Sequence, residues 1–389
     1  MAGPTIESGC LRGATRLLIM QPTAFCNVDC DYCYLPNRTD PRIMSHDIVA
    51  AAADFVFQGG LDASDFTVVW HAGEPLVVPP SWYREAFARI GAAAPANKAV
   101  PHAIQTNGML INDDWCDLFL AHGVRVGVSI DGPAFLHDAR RRTRSGKGTH
   151  AAALRGLRKL RERGVPSHAI CVVTNATLPH ARELIAFFNE EGVTDLGFNI
   201  EEVEGANTAS SLARPGSIED FRAFFEGVLE AADSASPPLR IREYRNMLAM
   251  LKHPAFGRLN ANSQNMPFAM LTVATGGELF TFSPELAGLL HQDYGNYVVG
   301  RLPQARLGDV LANPVFRRML DDIWEGIALC HQSCRYFDIC LGGSPVNKMS
   351  ECGSFVATET LACKLVHQVV ADVSLAHLDR RMSDERIGA

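Results

Sequence analysis

The strongest constraint on this 389-residue chain is a repeated alternation of strand-like and helix-like segments. Short apolar runs rich in β-branched residues fall at Arg16–Gln21, Phe66–His71, His102–Thr106, Arg125–Ile130, Ser167–Thr174 and Asp195–Ile200. Amphipathic stretches follow them near Ser45–Phe57, Ser81–Ala93, Asp113–His122, His150–Arg163, Pro179–Glu191 and Ile218–Ala232. A strand followed by a helix, six times over, calls for a parallel sheet with right-handed crossovers. Six units suit an α/β fold built as an open, partial (β/α)6 barrel of the TIM type better than a closed eightfold one.

The polar segments Cys26–Cys33, His71–Pro75, Thr106–Gly108, Ser129–Pro133 and Glu201–Asn207 each follow a strand, on the face where parallel α/β folds carry ligands. Small and breaker residues at Ala231–Pro238 mark a boundary. The expected organisation is a barrel over 1–235, a bridging region over 236–275 and a Gly- and Cys-rich, metal-held region over 276–389. No internal repeat of 20–50 residues is present.

Acidic residues outnumber basic ones, 43 to 36, for a formal net charge of −7, which argues against general nucleic-acid binding. No apolar run approaches the ~20 residues that span a bilayer, and the N-terminal stretch lacks the order of a secretory signal. A cytoplasmic protein without a membrane partner is expected. In that reducing compartment the 11 cysteines are to be read for metal or redox chemistry and not as a disulfide framework.

Cys26, Cys30 and Cys33 stand just past the first strand in AFCNVDCDYCYLP. Thiolates this close can converge on one soft metal centre, and both zinc and iron–sulfur sites use them. Structural zinc wants four protein ligands, whereas a cubane held by three cysteines leaves one iron open. Further along, Cys330, Cys334, Cys340 and Cys363 supply four thiolates that can close a site, with Cys352 as a spare. Cys10, Cys116 and Cys171 read as ordinary thiols.

The spacing CxxxCxxC, with Tyr32 before the last cysteine, resembles the signature of the radical S-adenosylmethionine (SAM) superfamily. HAGEP at His71–Pro75 resembles that family's Gly-Gly-Glu segment with Ala72 for the first glycine, and QTNG and SIDGP end successive strands as in such enzymes. The resemblance implies a SAM-binding [4Fe–4S] cluster on Cys26, Cys30 and Cys33, with Tyr32, Gly73, Glu74, Asn107, Ser129 and Asp131 around the cofactor. Glu74 would receive the methionine ammonium, and an arginine after SIDGP, with Arg141 favoured over Arg140 and Arg142, would meet the SAM carboxylate. Arg140 to Arg163 holds ten Lys/Arg against one Glu, mostly a solvated helix face that could also attract an acidic peptide or an electron donor.

The C-terminal cysteines resemble a SPASM extension, which houses auxiliary [4Fe–4S] clusters. Phe282, Ser283 and Ser344 stand where that extension has further cysteines, so one auxiliary cluster on Cys330, Cys334, Cys340 and Cys363 is expected, with zinc as the alternative. The segments FSPELAG, CRYFDICLGGSPVNK, ECGSFVATETLACKL and FNIEEVEGAN look like the GrrM-type cyclophane-forming peptide maturases. That likeness implies an enzyme that cleaves SAM reductively and cross-links an aromatic side chain to an unactivated carbon of a ribosomal precursor peptide. It would use a one-electron donor such as flavodoxin or ferredoxin, with Glu285, Glu201 or Glu202 as candidate bases. Glu201 and Glu202 point to opposite faces if the strand continues, so only one would face the cavity. With about 15 residues before the first strand, an appended leader-binding domain is not expected. Two other readings stay open. One is a radical enzyme acting on a sugar or nucleoside by sulfur insertion or epimerisation. The other is a metal-bound scaffold in which His46 or His71 closes the first site, since no cysteine follows Cys33 for 82 residues.

Overall fold

The computed structural model describes residues 11–96 and 98–387, so Cys10 lies outside the described residues. The barrel region runs β1 (Thr15–Met20), α1 (His46–Gln58), β2 (Asp62–Trp70), α2 (Pro80–Ala93), β3 (His102–Thr106), α3 (Asp113–His122), β4 (Arg125–Ser129), α4 (Ala134–Arg140), α5 (His150–Glu162), β5 (Ser167–Val173), α6 (Ala181–Glu190), β6 (Asp195–Ile200) and α7 (Ser217–Ser234). Local chemistry sets several ends. The Ser45 side chain accepts from Ile48 N at the start of α1, and that of Asn112 from Trp115 N at the start of α3. Gly123, at φ 61°, closes α3 in the left-handed region.

Strands β1 to β6 pair in parallel in chain order, which yields the open α/β barrel anticipated from the alternation. The same sheet continues past residue 235. β7 (Arg240–Ile241) pairs parallel with β6 and leads into α8 (Arg242–Leu251). β8 (Met270–Val273) returns to the other side and pairs parallel with β1, Leu17 opposite Met270 and Met20 opposite Val273. β9 (Glu278–Thr281) and β10 (Gly300–Arg301) extend that edge antiparallel, and the sheet does not close. Residues 236–275 lack the alternation that marks β1 to β6, and four residues of MLTV, buried throughout, give no period to read.

The C-terminal part is helical: α9 (Leu307–Ala312), α10 (Pro314–Ser333), α11 (Phe337–Cys340), α12 (Pro345–Cys352), α13 (Leu361–Cys363), a π-helical turn at Lys364–Val369 and α14 (Val370–Ile387). Asn313 caps α10, and Phe316, Met319, Leu320, Ile323 and Ile327 make its buried stripe. One expectation is corrected here. The helix Leu361–Ser383 is long and apolar enough by composition to cross a membrane, with 44% of that window buried inside the fold. It packs against α7 and α8.

Candidate active site

β1 ends in the loop that carries Cys26, Cys30 and Cys33, and neighbouring segments fasten that loop through its backbone. Cys26 N donates to Arg38 O at 3.1 Å, Asp29 N to Arg142 O at 2.7 Å and Glu74 N to Phe25 O at 2.8 Å. Arg38 Nη1 reaches Cys30 O at 3.0 Å and Arg144 Nη2 reaches Cys26 O at 3.1 Å. The three thiols are half-buried. Burial, then the Glu74 carboxylate, pushes the Cys26 thiol up to about 12. Burial raises Cys30 to about 11 against the opposing pull of Arg141, and each of these two thiols feels its neighbours in the triad. Such thiols stay protonated until a cation displaces the proton.

The two histidines that could complete a four-ligand ion each have Nε2 in contact with a neighbour. His46 Nε2 lies 3.0 Å from Trp82 O, and His71 Nε2 lies 3.1 Å from the Tyr34 hydroxyl. Among the described residues no three His, Cys, Asp or Glu side chains converge as they would around one ion. A three-thiolate set of this kind fits a cluster whose ligands sit on different irons better than it fits zinc.

The strand tips around the loop are tied to one another. Gly73 has φ 63°, and a Cβ there would meet Thr23 O at 2.6 Å and Phe25 O at 2.7 Å, so the backbone contact with the cysteine loop requires glycine. Ala72, before it, also sits in the left-handed region at φ 71°, where an alanine is strained. The buried Glu74 carboxylate accepts from Leu76 N at 2.9 Å, Thr106 Oγ1 at 2.6 Å and Asn107 N at 2.8 Å, which joins the tips of β2 and β3. Burial raises its pKa against those three donors. Asn107 Nδ2 donates to Asn27 Oδ1 at 2.7 Å, and Ser129 Oγ accepts from Gln105 Nε2 at 2.8 Å.

Arg141 and Asp131 form a buried pair, Nε to Oδ2 at 2.9 Å and Nη2 to Oδ1 at 3.1 Å. Tyr32 OH and Val172 N donate to the same carboxylate, and the Arg141 guanidinium lies 5.3 Å from the Tyr32 ring centre. Burial raises Asp131, but Arg141, His137 and Tyr32 together outweigh it and leave the group below the usual carboxylate range. Arg141 Nη1 points to Cys30 Sγ at 3.8 Å. This side chain is therefore engaged within the fold, with one edge toward the cysteine loop.

The candidate bases separate. Glu201 is turned into the loop that follows β6, where it accepts from Ser211 N at 2.7 Å and from Ser211 Oγ and lies 3.7 Å from Arg140 Nη2. Glu202 and Glu285 instead line one cavity of about 620 Å³, together with Cys340, His367, Gln264 and Arg242. Glu204, which the sequence reading passed over, joins them. Its Oε1 accepts from Asn347 Nδ2 at 2.8 Å, and its carboxyl is in hydrogen-bonding contact with that of Glu202. Burial, then mutual repulsion with Glu285, pushes Glu202 up to about 7; burial does the same to Glu285, and Glu204 lies well above its ordinary value. The run of three glutamates just past β6 in FNIEEVEGAN was the available signal.

The segments that follow Glu204 and Glu285 pack against the residues that follow Cys33. Ala206 N donates to Tyr34 O at 2.7 Å, a Cβ at Gly205 would meet Tyr34 O at 2.2 Å, and one at Gly288 would meet Pro36 Cγ at 2.4 Å. Tyr34 is also within electrostatic reach of Glu285, Cys33 and Glu204.

The four C-terminal cysteines gather where α10, α11 and α13 end. Burial raises Cys340 to about 11, and Cys334, Cys363 and Cys330 add to the rise. These four would hold one auxiliary cluster. The positions at which a second one would need cysteines are occupied otherwise: Phe282 is buried against Phe316, Ser283 hydrogen-bonds Glu285, and Ser344 caps α12. Cys352 is exposed at the end of α12, while Cys116 and Cys171 are buried in α3 and β5.

The radical SAM superfamily model matches residues 20–187. The chain is 38% identical over 374 residues to the uncharacterized protein sll1766 of Synechocystis sp., covering 95% of this chain and 94% of that one. It is 33% identical over 192 residues to the serine-type anaerobic sulfatase-maturating enzyme of Klebsiella aerogenes, an alignment that spans 49% of this chain and 47% of that enzyme. The fold is similar to that of anSMEcpe with bound AdoMet and Cp18Cys peptide, with a TM-score of 0.76 at 17% identity over 95% of this chain and 99% of that one. The chain belongs to the radical SAM superfamily: it is an enzyme that uses S-adenosylmethionine and an iron–sulfur cluster.

Proposed function

We propose that the enzyme modifies a ribosomally made peptide, cross-linking an aromatic side chain to an unactivated carbon to form a cyclophane. The observation that carries this reading is the cavity that two raised carboxyls share with an auxiliary-site cysteine. Glu202, Glu285 and Cys340 line it, and Tyr34, the residue after Cys33, is within electrostatic reach of Glu285. A sulfatase-maturating relative and a structural neighbour with a bound peptide support a peptide substrate.

When bound, the cofactors supply a 5′-deoxyadenosyl radical at the Cys26, Cys30 and Cys33 end and a one-electron acceptor at the Cys330, Cys334, Cys340 and Cys363 end. The chain's own residues orient and deprotonate. Asp131, at the tip of β4, and Arg141, past α4, brace the cysteine loop through Tyr32 and Cys30. Gly73, Glu74, Asn107 and Ser129 present backbone and polar atoms to the cofactor. Forming a carbon–carbon bond to a ring leaves one proton and one electron to remove, and Glu285, with Glu202 and Glu204 beside it, takes the proton. A carboxyl near 7 is matched to that task at neutral pH. The electron donor that starts each turnover is of the flavodoxin or ferredoxin class.

The test is to incubate the reconstituted enzyme, SAM and a reductant with the short peptide encoded beside its gene. A product lighter by two hydrogens, with the cross-link at an aromatic residue, is the expected result. SAM cleavage with an unchanged peptide, and turnover of a sugar or nucleoside instead, would overturn the reading.

A further inference from the structure

Lys348 is 4% exposed, on α12, in the heart of the C-terminal part. Its Nζ donates to Gly326 O at 3.0 Å and to Cys330 Sγ at 3.3 Å. Among the described residues it forms no ion pair with a carboxylate. A buried ammonium costs several kcal/mol unless an anion stands beside it, and the one group in position to be that anion is the Cys330 sulfur. As a free thiol it would leave the ammonium uncompensated; as a metal-bound thiolate it would not.

The surroundings are shaped to deliver this contact. Gly326 lies one helical turn before Cys330 on α10, and a Cβ there would meet Phe355 O at 2.1 Å and Lys348 Nζ at 3.3 Å. Ser344 caps α12 by accepting from Asn347 N, and Asn347 itself is tied to Glu204. The helix that carries Lys348 to the auxiliary site is therefore the one that braces the carboxyl cluster in the cavity.

We infer that Lys348 is a positioning residue for the auxiliary cluster: a buried counter-charge that hydrogen-bonds the Cys330 ligand and raises the cluster's reduction potential. Charge and hydrogen bonds at the sulfurs set such potentials. A fixed positive charge favours the state with one more electron, so it makes the cluster a better acceptor. The couple is a single reversible electron: the cluster core goes from 2+ to 1+ as an external reductant such as dithionite is oxidised, and no bond is made or broken. This inference rests on the auxiliary cluster of the proposed function.

The experiment is a redox titration of the anaerobically reconstituted full chain, followed by electron paramagnetic resonance, for the parent, Lys348→Met, Lys348→Gln and Lys348→Arg. The Met and Gln variants should lower the auxiliary midpoint by at least a tenfold change in the one-electron equilibrium, about 59 mV, and leave the triad cluster's midpoint in place. The Arg variant should stay near the parent. If Met does not retain the cluster, the Gln and Arg comparison decides by charge alone. Equal midpoints across charged and neutral variants at full iron content would overturn the role of Lys348. A parent chain with about four irons and one cluster signal would instead remove the auxiliary cluster, and the proposed electron acceptor with it.

Discussion

The Cys26–Cys33 loop hangs from the end of a parallel strand and is fastened by backbone carbonyls, arginines and strand-tip side chains, whereas helix ends gather the Cys330–Cys363 set. Each site places one cation against one sulfur, Arg141 at 3.8 Å from Cys30 and Lys348 at 3.3 Å from Cys330. The cations differ in what they answer to. Arg141 is paired bidentately with Asp131 and would remain compensated without a cluster, while Lys348 has no carboxylate partner among the described residues. Three thiolates in one loop suit a cluster with an open iron; four thiolates among helices suit a closed one that exchanges electrons.

The sharpest way to break this comparison is to remove one site at a time. Alanine at Cys26, Cys30 or Cys33 should abolish SAM-dependent 5′-deoxyadenosine while about four irons per chain remain. Alanine at Cys340 should spare SAM cleavage and abolish cross-linked product. Loss of cleavage in the Cys340 variant, seen by chromatography of the nucleoside, would mean that the two sites do not act separately.

Glu285→Gln should lower product formation by about 10²–10⁴-fold while SAM cleavage persists. In the parent, product formation should rise with pH through about 7, as Glu285 and Glu202 ionise. Stability runs the opposite way. A carboxyl whose pKa is higher folded than unfolded contributes fully below its unfolded value, near 4.5, and that contribution is lost as pH rises through about 7. The Gln variant should therefore gain about 1–3 kcal/mol over the parent at pH 8 and nothing at pH 4.5, as read by denaturant unfolding. A variant with no pH-dependent gain would remove Glu285 from the buried carboxyl group.

Arg141→Leu leaves Asp131 buried without its cation and should cost about 3–5 kcal/mol, enough to loosen the cysteine loop and reduce iron content at the triad. The smallest effect belongs to Ala72, whose left-handed backbone suits glycine. Ala72→Gly should stabilise the fold by about 1 kcal/mol, measured by thermal or denaturant unfolding.

The barrel was legible because its information is local. Strand periodicity located β1 to β6, and cysteine spacing located the triad. The turn residues of HAGEP, QTNG and SIDGP located the tips that the structure ties together through Glu74, Asn107 and Asp131. What was not legible depends on long-range pairing or on a side chain's final direction. β8 takes its place by pairing with β1 across 250 residues of chain, and its four residues carry no period of their own. Arg141 was anticipated at the site but not its pairing with Asp131, because sequence does not reveal which buried carboxylate an arginine will meet. Lys348 carries no mark of its own in the sequence, since its place against Gly326 and Cys330 of α10 exists only in the fold. Glu201 and Glu202 lie past Ile200, the last residue of β6, so the loop sets their directions: Ser211 holds Glu201, while Glu202 lines the cavity.

The central claim is that one chain holds an open, SAM-cleaving cluster on Cys26, Cys30 and Cys33 and a separate closed one on the C-terminal cysteines. Anaerobic reconstitution with iron and sulfide, with iron and 5′-deoxyadenosine measured on the same sample, tests it directly. About eight irons per chain, four for each cluster, are expected, with nucleoside release that requires SAM and reductant. Bound zinc without SAM cleavage, or cleavage unaffected by alanine at Cys26, Cys30 and Cys33, would contradict it.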